Sequence, residues 1–129
     1  MGSPVYLECG SFYERDGGPM AVVAETEQCQ IFADECAASG KPLVNAGIVG
    51  HADLSLGAAV GAVLDAHMKS PNFRGIRDSC SWSDDPLVAS HGAPPRKLYD
   101  PQFREGMVEL GKRGKNVDFV LNILDFALT

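Results

Sequence analysis

Two stretches decide the fold: Pro42-Leu-Val-Asn-Ala-Gly-Ile-Val-Gly-His-Ala-Asp-Leu54 and Phe73-Arg-Gly-Ile-Arg-Asp78. Each has the apolar character of a strand buried on both faces, and each ends in ionisable side chains. Parallel α/β sheets carry their chemistry just beyond the carboxyl ends of the strands. The two stretches therefore predict an α/β fold with functional residues at these ends, among them His51, Asp53 and Arg77.

Strands and helices are predicted to alternate along the chain. Strands are expected at residues 5–9, 43–49, 73–79 and 117–124. Helices are expected at residues 25–39 and 56–68 and from Asp100 onward, because apolar side chains recur there at spacings of three and four. Ser55 is the candidate N-cap of the second helix, whereas Asp100 and Pro101 begin the third and Gly114 ends it.

The spacing of the strands favours βα crossovers over hairpins, so four parallel strands alternating with three helices are expected. This order fits either a small doubly wound sheet or half of an eight-stranded barrel. At 129 residues the chain is expected to form a single domain, too short for a whole barrel. Half a barrel exposes two parallel edges, which predicts a homo-oligomer that forms through these edges.

Charge and cysteine content restrict the class of protein. The net charge of -6 argues against nucleic acid or an anionic membrane as the partner. No apolar run approaches the roughly 18 residues of a membrane span, and no secretory signal is evident, so a cytoplasmic protein is expected. Reduced, buried thiols are expected because the four cysteines lack metal-site or redox-pair spacing: Cys9, Cys29, Cys36 and Cys80.

Three motifs in order carry a family resemblance: Gly47-Ile-Val-Gly-His-Ala-Asp-Leu54, Phe73-Arg-Gly-Ile-Arg77 and Asp100-Pro-Gln-Phe-Arg-Glu-Gly106. Over residues 5–121 the chain resembles the amidohydrolase-related family of TIM-barrel, metal-dependent hydrolases, which includes dicarboxylate lactonases. The resemblance implies a partial (β/α)8 barrel, strands two to five, within one domain at residues 1–129. It also implies hydrolysis of amide, lactone or related bonds in small, carboxylate-bearing substrates, often through a divalent metal.

The chain departs from the family pattern at the metal ligands. Family members usually carry a His-x-His pair, which this sequence lacks. Asp118 matches an acidic position of the fifth strand, but Ile123 stands where a histidine is expected. We therefore expect no cofactor in this chain, a divalent metal in complete relatives, and an incomplete active site here. The alternatives are a truncated, catalytically silent fragment, a self-associating interaction protein, or a small doubly wound binding domain.

The candidate substrate-binding residues lie at the predicted strand ends. His51 and Asp53 are two residues apart, so both would point to one side of a strand, either for acid-base or metal chemistry or for local hydrogen bonds. Arg77 would hold a substrate carboxylate or form a structural pair with Glu8 or Asp78.

Other side chains carry less functional weight in the sequence. Glu8 lies at the same depth as Arg77 and shares its two interpretations, and Trp82 either walls the mouth of the site or covers the core. His67 and His91 are expected on a solvated face or as local caps. The sequence indicates neither a helix N-terminus nor a histidine beside Cys80 that would make it a nucleophile, and no catalytic residue is assigned.

Overall fold

The computed structural model describes residues 3–87 and 93–114. Three strands form one parallel sheet in the order β1-β2-β3: β1 (Val5–Leu7), β2 (Gly47–His51) and β3 (Phe73–Arg77). The register pairs His51 with Arg77, so the carboxyl ends meet at one edge. The predicted parallel α/β arrangement is confirmed for these strands, and the predicted strand at residues 117–124 lies outside the described residues.

Three α-helices accompany the sheet: α1 (Val23–Ala38), α2 (Val60–Met68) and α3 (Pro101–Arg113). A 3-10 helix, Leu54–Ala59, stands where the first turn of the second helix was predicted. Gly57 adopts a φ of 65° and a ψ of -139°, which interrupts the helical path. The predicted cap at Ser55 is wrong, because the carboxylate of Asp53 accepts the hydrogen bond of the Ser55 amide at 2.9 Å.

Helix α3 begins and ends as the sequence predicts. The Asp100 carboxylate accepts a hydrogen bond from the amide of Gln102 at 2.9 Å, Pro101 is the first helical residue, and Gly114 is the C-cap. A second 3-10 helix, Lys97–Tyr99, precedes it. Helix α3 packs closely against the 3-10 helix that begins at Leu54, and this contact fixes the position of α3.

The strands are shorter than predicted. Strand β2 begins at Gly47 rather than at residue 43, and Leu43 and Val44 are exposed. Asn45 adopts a left-handed φ of 51°, which breaks an extended strand there. Strands β1 and β3 each end two residues early, at Leu7 and Arg77. The functional side chains at these ends therefore lie either on the last residue of a strand, as His51 and Arg77 do, or in the loop that follows it.

Helices α1 and α2 contact one face of the sheet. Tyr6 on this face bonds to α1, and Phe73 stacks on a side chain of α2. Val5 and Leu7 alternate with Tyr6 and are 58% and 49% exposed. The main apolar core includes Leu54, Val60, Val63, Leu64, Ile76 and Phe103.

The buried face of α1 differs from the predicted one. Thr26 and Gln30 are buried there together with Cys29, whereas Phe32, one of the apolar residues whose spacing predicted this helix, is exposed. These polar side chains can be buried because each has a partner on a neighbouring element: Thr26 bonds to α2, and Gln30 bonds to the loop before β3. Across the described ranges, no helix combines the length and apolarity that a membrane crossing requires.

Candidate functional site

A cleft of about 810 Å³ opens at the carboxyl ends of the three strands. Four of the five predicted substrate-binding residues line it: Glu8, His51, Asp53 and Arg77. Trp82 is half-buried and is not among the described residues that line the cleft. The parallel register thus brings together side chains that are far apart in the sequence.

Glu8 and Arg77 form an ion pair across the cleft floor. The Arg77 Nε–H donates to Glu8 Oε1 at 2.7 Å, and Nη2 donates to the Glu8 carbonyl. The side chains remain 32% and 18% exposed, so they contact solvent in the cleft. The structural pairing predicted for Arg77 is confirmed, and within residues 3–87 and 93–114 its guanidinium donates to Glu8 through Nε and Nη2.

His51 lines the cleft, and a backbone carbonyl defines the tautomer of its ring. Its Nδ1 atom lies 2.8 Å from the carbonyl oxygen of Arg77. A carbonyl only accepts hydrogen bonds, so Nδ1 carries the hydrogen and Nε2 of the neutral ring carries the lone pair. The ring is half-buried at the cleft wall. The predicted hydrogen bond to the backbone is confirmed, and in this tautomer the lone pair of Nε2 can accept a proton.

Asp53 stabilises the start of the 3-10 helix that directly follows it. Its carboxylate caps the 3-10 helix through Ser55, and the side chain is exposed at the cleft rim. Within the described part of the chain, no three His, Cys, Asp or Glu side chains come together in a way that could hold a metal ion. The residues that the structure describes therefore do not form a metal site.

A buried ion pair forms part of the cleft wall and contains a residue that the sequence did not indicate. Lys97 Nζ donates to Asp78 Oδ1 at 2.7 Å, and the side chains are 8% and 3% exposed. The other oxygen of Asp78 accepts the Leu54 amide at 3.1 Å. Lys97 precedes the predicted third helix and belongs to no motif of the sequence, and no spacing rule links it to Asp78.

Glu25 fixes the loop that follows β1. Its carboxylate accepts the Tyr6 hydroxyl at 2.6 Å and the amides of Cys9 and Gly10 at 2.8 and 3.2 Å. Burial raises the pKa of Glu25, but these donors outweigh burial and hold the pKa below its usual value. Burial also raises the pKa of Tyr6, together with its hydrogen bonds to Cys9 and Glu25. The sequence placed Glu25 in the first turn of a helix but gave no sign of its burial.

His67 is buried, and its predicted solvated position is wrong. Nε2 lies 2.7 Å from the His51 carbonyl oxygen, and Nδ1 lies 2.9 Å from the Thr26 hydroxyl. Burial lowers the pKa of His67. The ring fits because Gly50 has no side chain: a Cβ there would lie 2.8 Å from His67 Cε1. His91 lies outside the described residues.

The cysteines differ in exposure, and none is in a disulfide within the described part of the chain, which contains all four. Cys29 and Cys80 are buried as predicted, but Cys36 is half-buried and Cys9 is exposed at the cleft. Burial raises the pKa of the Cys29 thiol. The prediction of buried thiols is therefore wrong for Cys9.

Comparison with known proteins gives one partial match. The chain is 40% identical over 75 residues to "Uncharacterized protein y4mH" of Sinorhizobium fredii. The match covers 58% of this chain and 25% of that relative. No family model and no solved structure matches the chain. The chain spans about a quarter of the length of the curated relative that it matches.

Proposed function

We propose that this chain is part of an amidohydrolase-related hydrolase, and that its cleft binds a small carboxylate-bearing substrate whose amide, lactone or related bond is hydrolysed. One observation carries the proposal. Three neighbouring parallel strands deliver Glu8, His51 and Arg77 to a single cleft at their carboxyl ends. This is the edge at which α/β enzymes bind substrates.

The specific fold that we propose for the parallel sheet and its helices is a partial (β/α)8 barrel. The β-α-β-α-β order and the helices on one face of the sheet support it, because the barrel has its helices outside and its other sheet face inside. The matched 75 residues are 25% of the relative, which is therefore about 300 residues long. That length lies in the range of complete (β/α)8 barrels.

The chemistry in this proposal uses two residues with separate tasks. Arg77 binds the substrate carboxylate through guanidinium N–H groups on its exposed side. His51 Nε2 accepts a proton from water while the water oxygen bonds to the carbonyl carbon. The bond to the leaving oxygen or nitrogen then breaks, and the leaving group takes up the proton. No step is assigned to a metal, because the described residues do not form a metal site.

The expected environment follows from charge and thiol content. A net charge of -6 favours a small-molecule substrate over nucleic acid as the partner. The four cysteines outside disulfides suit a reducing compartment. Within the proposal, the protein therefore works in the cytoplasm.

A second candidate function is self-association without catalysis. Edge strand β1 exposes the apolar side chains of Val5 and Leu7. Exposed apolar edges favour pairing with another chain. Size-exclusion chromatography with light scattering at several concentrations tests this candidate. A mass that rises with concentration and falls on Val5→Lys supports it, and a constant monomer mass rejects it.

Turnover is the direct test of the hydrolase. The purified chain is incubated with small lactones and amides, in pairs with and without a carboxylate, and product is measured by chromatography with and without added Zn²⁺ or Mn²⁺. Hydrolysis of the carboxylate-bearing members that Arg77→Met and His51→Gln both abolish supports the proposal. Binding of these members without turnover supports the catalytically silent fragment. The absence of both binding and turnover contradicts the proposal.

A further inference from the structure

We propose that His67 is a positioning residue for His51: its Nε2–H holds the His51 carbonyl and so fixes the tautomer of the His51 ring, which lines the cleft. His67 does not line the cleft, and it acts through His51 alone. The inference rests on the proposed function for the task of His51. The hydrogen bonds of His67 can nevertheless be tested without any substrate.

The tautomer of His67 follows from its two partners. The His51 carbonyl oxygen only accepts, so His67 Nε2, 2.7 Å away, must donate. In the neutral ring Nδ1 is then the acceptor, and the Thr26 hydroxyl donates to it at 2.9 Å. Burial lowers the pKa of His67, which favours this neutral form. Every polar atom of the buried ring is therefore satisfied.

The two histidines form one hydrogen-bonded series across the structure. It runs from Thr26 on α1 through His67 on α2 to the carbonyl of His51, and from the His51 ring to the carbonyl of Arg77. The two carbonyls select opposite tautomers, Nε2–H for His67 and Nδ1–H for His51. The peptide plane after His51 is thus held from the helix side, at the last residue of β2.

The position of His67 is tightly determined by packing. Its ring stacks on Phe73 with centroids 5.0 Å apart and planes inclined by 10°. On the sheet side, a Cβ on Gly50 would lie 2.7 Å from Thr26 Oγ1 and 2.8 Å from His67 Cε1. The ring therefore has little freedom to turn away from the His51 carbonyl.

The test measures histidine tautomers by long-range ¹H–¹⁵N NMR at about pH 8.5, well above the usual histidine pKa. Signals are assigned by single substitutions. In the wild-type chain we expect Nδ1–H for His51 and Nε2–H for His67. In His67→Gln the amide nitrogen replaces Nε2, so His51 keeps its Nδ1–H form. In the matched variant His67→Asn the shorter amide does not reach the carbonyl, and His51 becomes a mixture of tautomers.

Three results would overturn the proposal: Nε2–H for His51 in the wild type, an unchanged His51 in folded His67→Asn, or a mixture in His67→Gln. If His67→Asn does not fold, the wild-type tautomers and His67→Gln decide. Failure of hydrolysis leaves these tautomers unaffected, so it contradicts the proposed function without contradicting the role of His67.

Discussion

The Arg77 Nε atom lies 2.7 Å from Glu8 Oε1, although 69 residues separate the two in the sequence. Their strands, β1 and β3, are not neighbours, because β2 lies between them. The pair therefore spans the carboxyl edge of the sheet beside His51. This bridge connects the packing of the sheet with the geometry of the cleft, since removing either partner disturbs both.

Arg77→Met should lower the free energy of unfolding by about 1–3 kcal/mol, because it removes two hydrogen bonds and leaves a half-buried carboxylate unpaired. Arg74→Met is the matched control on the same strand, where the side chain is exposed and bonds only to nearby carbonyls. Arg74→Met should lower the free energy of unfolding by about 0.5 kcal/mol or less. Urea unfolding measures both, and equal losses would mean that the bridge to Glu8 contributes nothing.

Among charge removals in the described region, Lys97→Met should lower the free energy of unfolding most, by about 3–5 kcal/mol. The reason is that it leaves the Asp78 carboxylate buried without its cation. Lys112 pairs with Glu109 on the surface and is 62% exposed, so Lys112→Met should change stability by about 0.5 kcal/mol or less. Denaturant unfolding of the two variants gives the comparison. A Lys97 variant as stable as the Lys112 variant would refute the buried pair.

Glu25 should make stability depend on pH. Its folded pKa lies below the usual 4.5, so its ionised form stabilises the fold above about pH 4.5 and this contribution is lost as the pH falls through the folded value. Glu25→Gln should therefore be less stable than wild type at pH 7, with a difference that shrinks toward acid pH. Glu27→Gln is the exposed control in the same helical turn. A difference that is constant from pH 7 to the acid limit would show that ionisation of Glu25 is not involved.

Two glycines of α3 should respond in opposite directions to the same substitution. A Cβ on Gly106 would overlap the Leu54 carbonyl oxygen, so Gly106→Ala forces the two backbone segments apart and should lower the free energy of unfolding by about 3 kcal/mol or more. At Gly111 no atom lies within 4 Å of the Cβ position, so Gly111→Ala should raise the free energy of unfolding by about 0.5–1 kcal/mol. Thermal unfolding gives the sign of each change. Similar melting temperatures for both variants would contradict the packing of α3 on Leu54.

The sequence predicts what depends on local pattern and on parallel strand order. Asp100, Pro101 and Gly114 are found at the predicted ends of α3, and parallel pairing brings Glu8, His51 and Arg77 to one edge. The start of β2 could not be found from apolar character, because a left-handed residue breaks the run.

Polar residues that work through long-range contacts escaped sequence reasoning. The hydrogen-bond partners of the buried side chains of Lys97, Glu25 and His67 are 15 to 41 residues away, which no periodicity encodes. The space for the His67 ring depends on Gly50, whose role appears only when a helix and a strand are placed together.

The most direct test of the central claim is an NMR titration of the chain with a small dicarboxylate such as glutarate, following the Arg77 Nε–H and the His51 ring signals. The account predicts saturable shifts at both residues, and an affinity at least about tenfold lower for Arg77→Lys, because lysine keeps the charge but loses the paired donors. Signals of Arg77 and His51 that do not move, or His51 signals that saturate at the same concentrations in Arg77→Lys, would contradict the assignment of this cleft as a carboxylate-binding site.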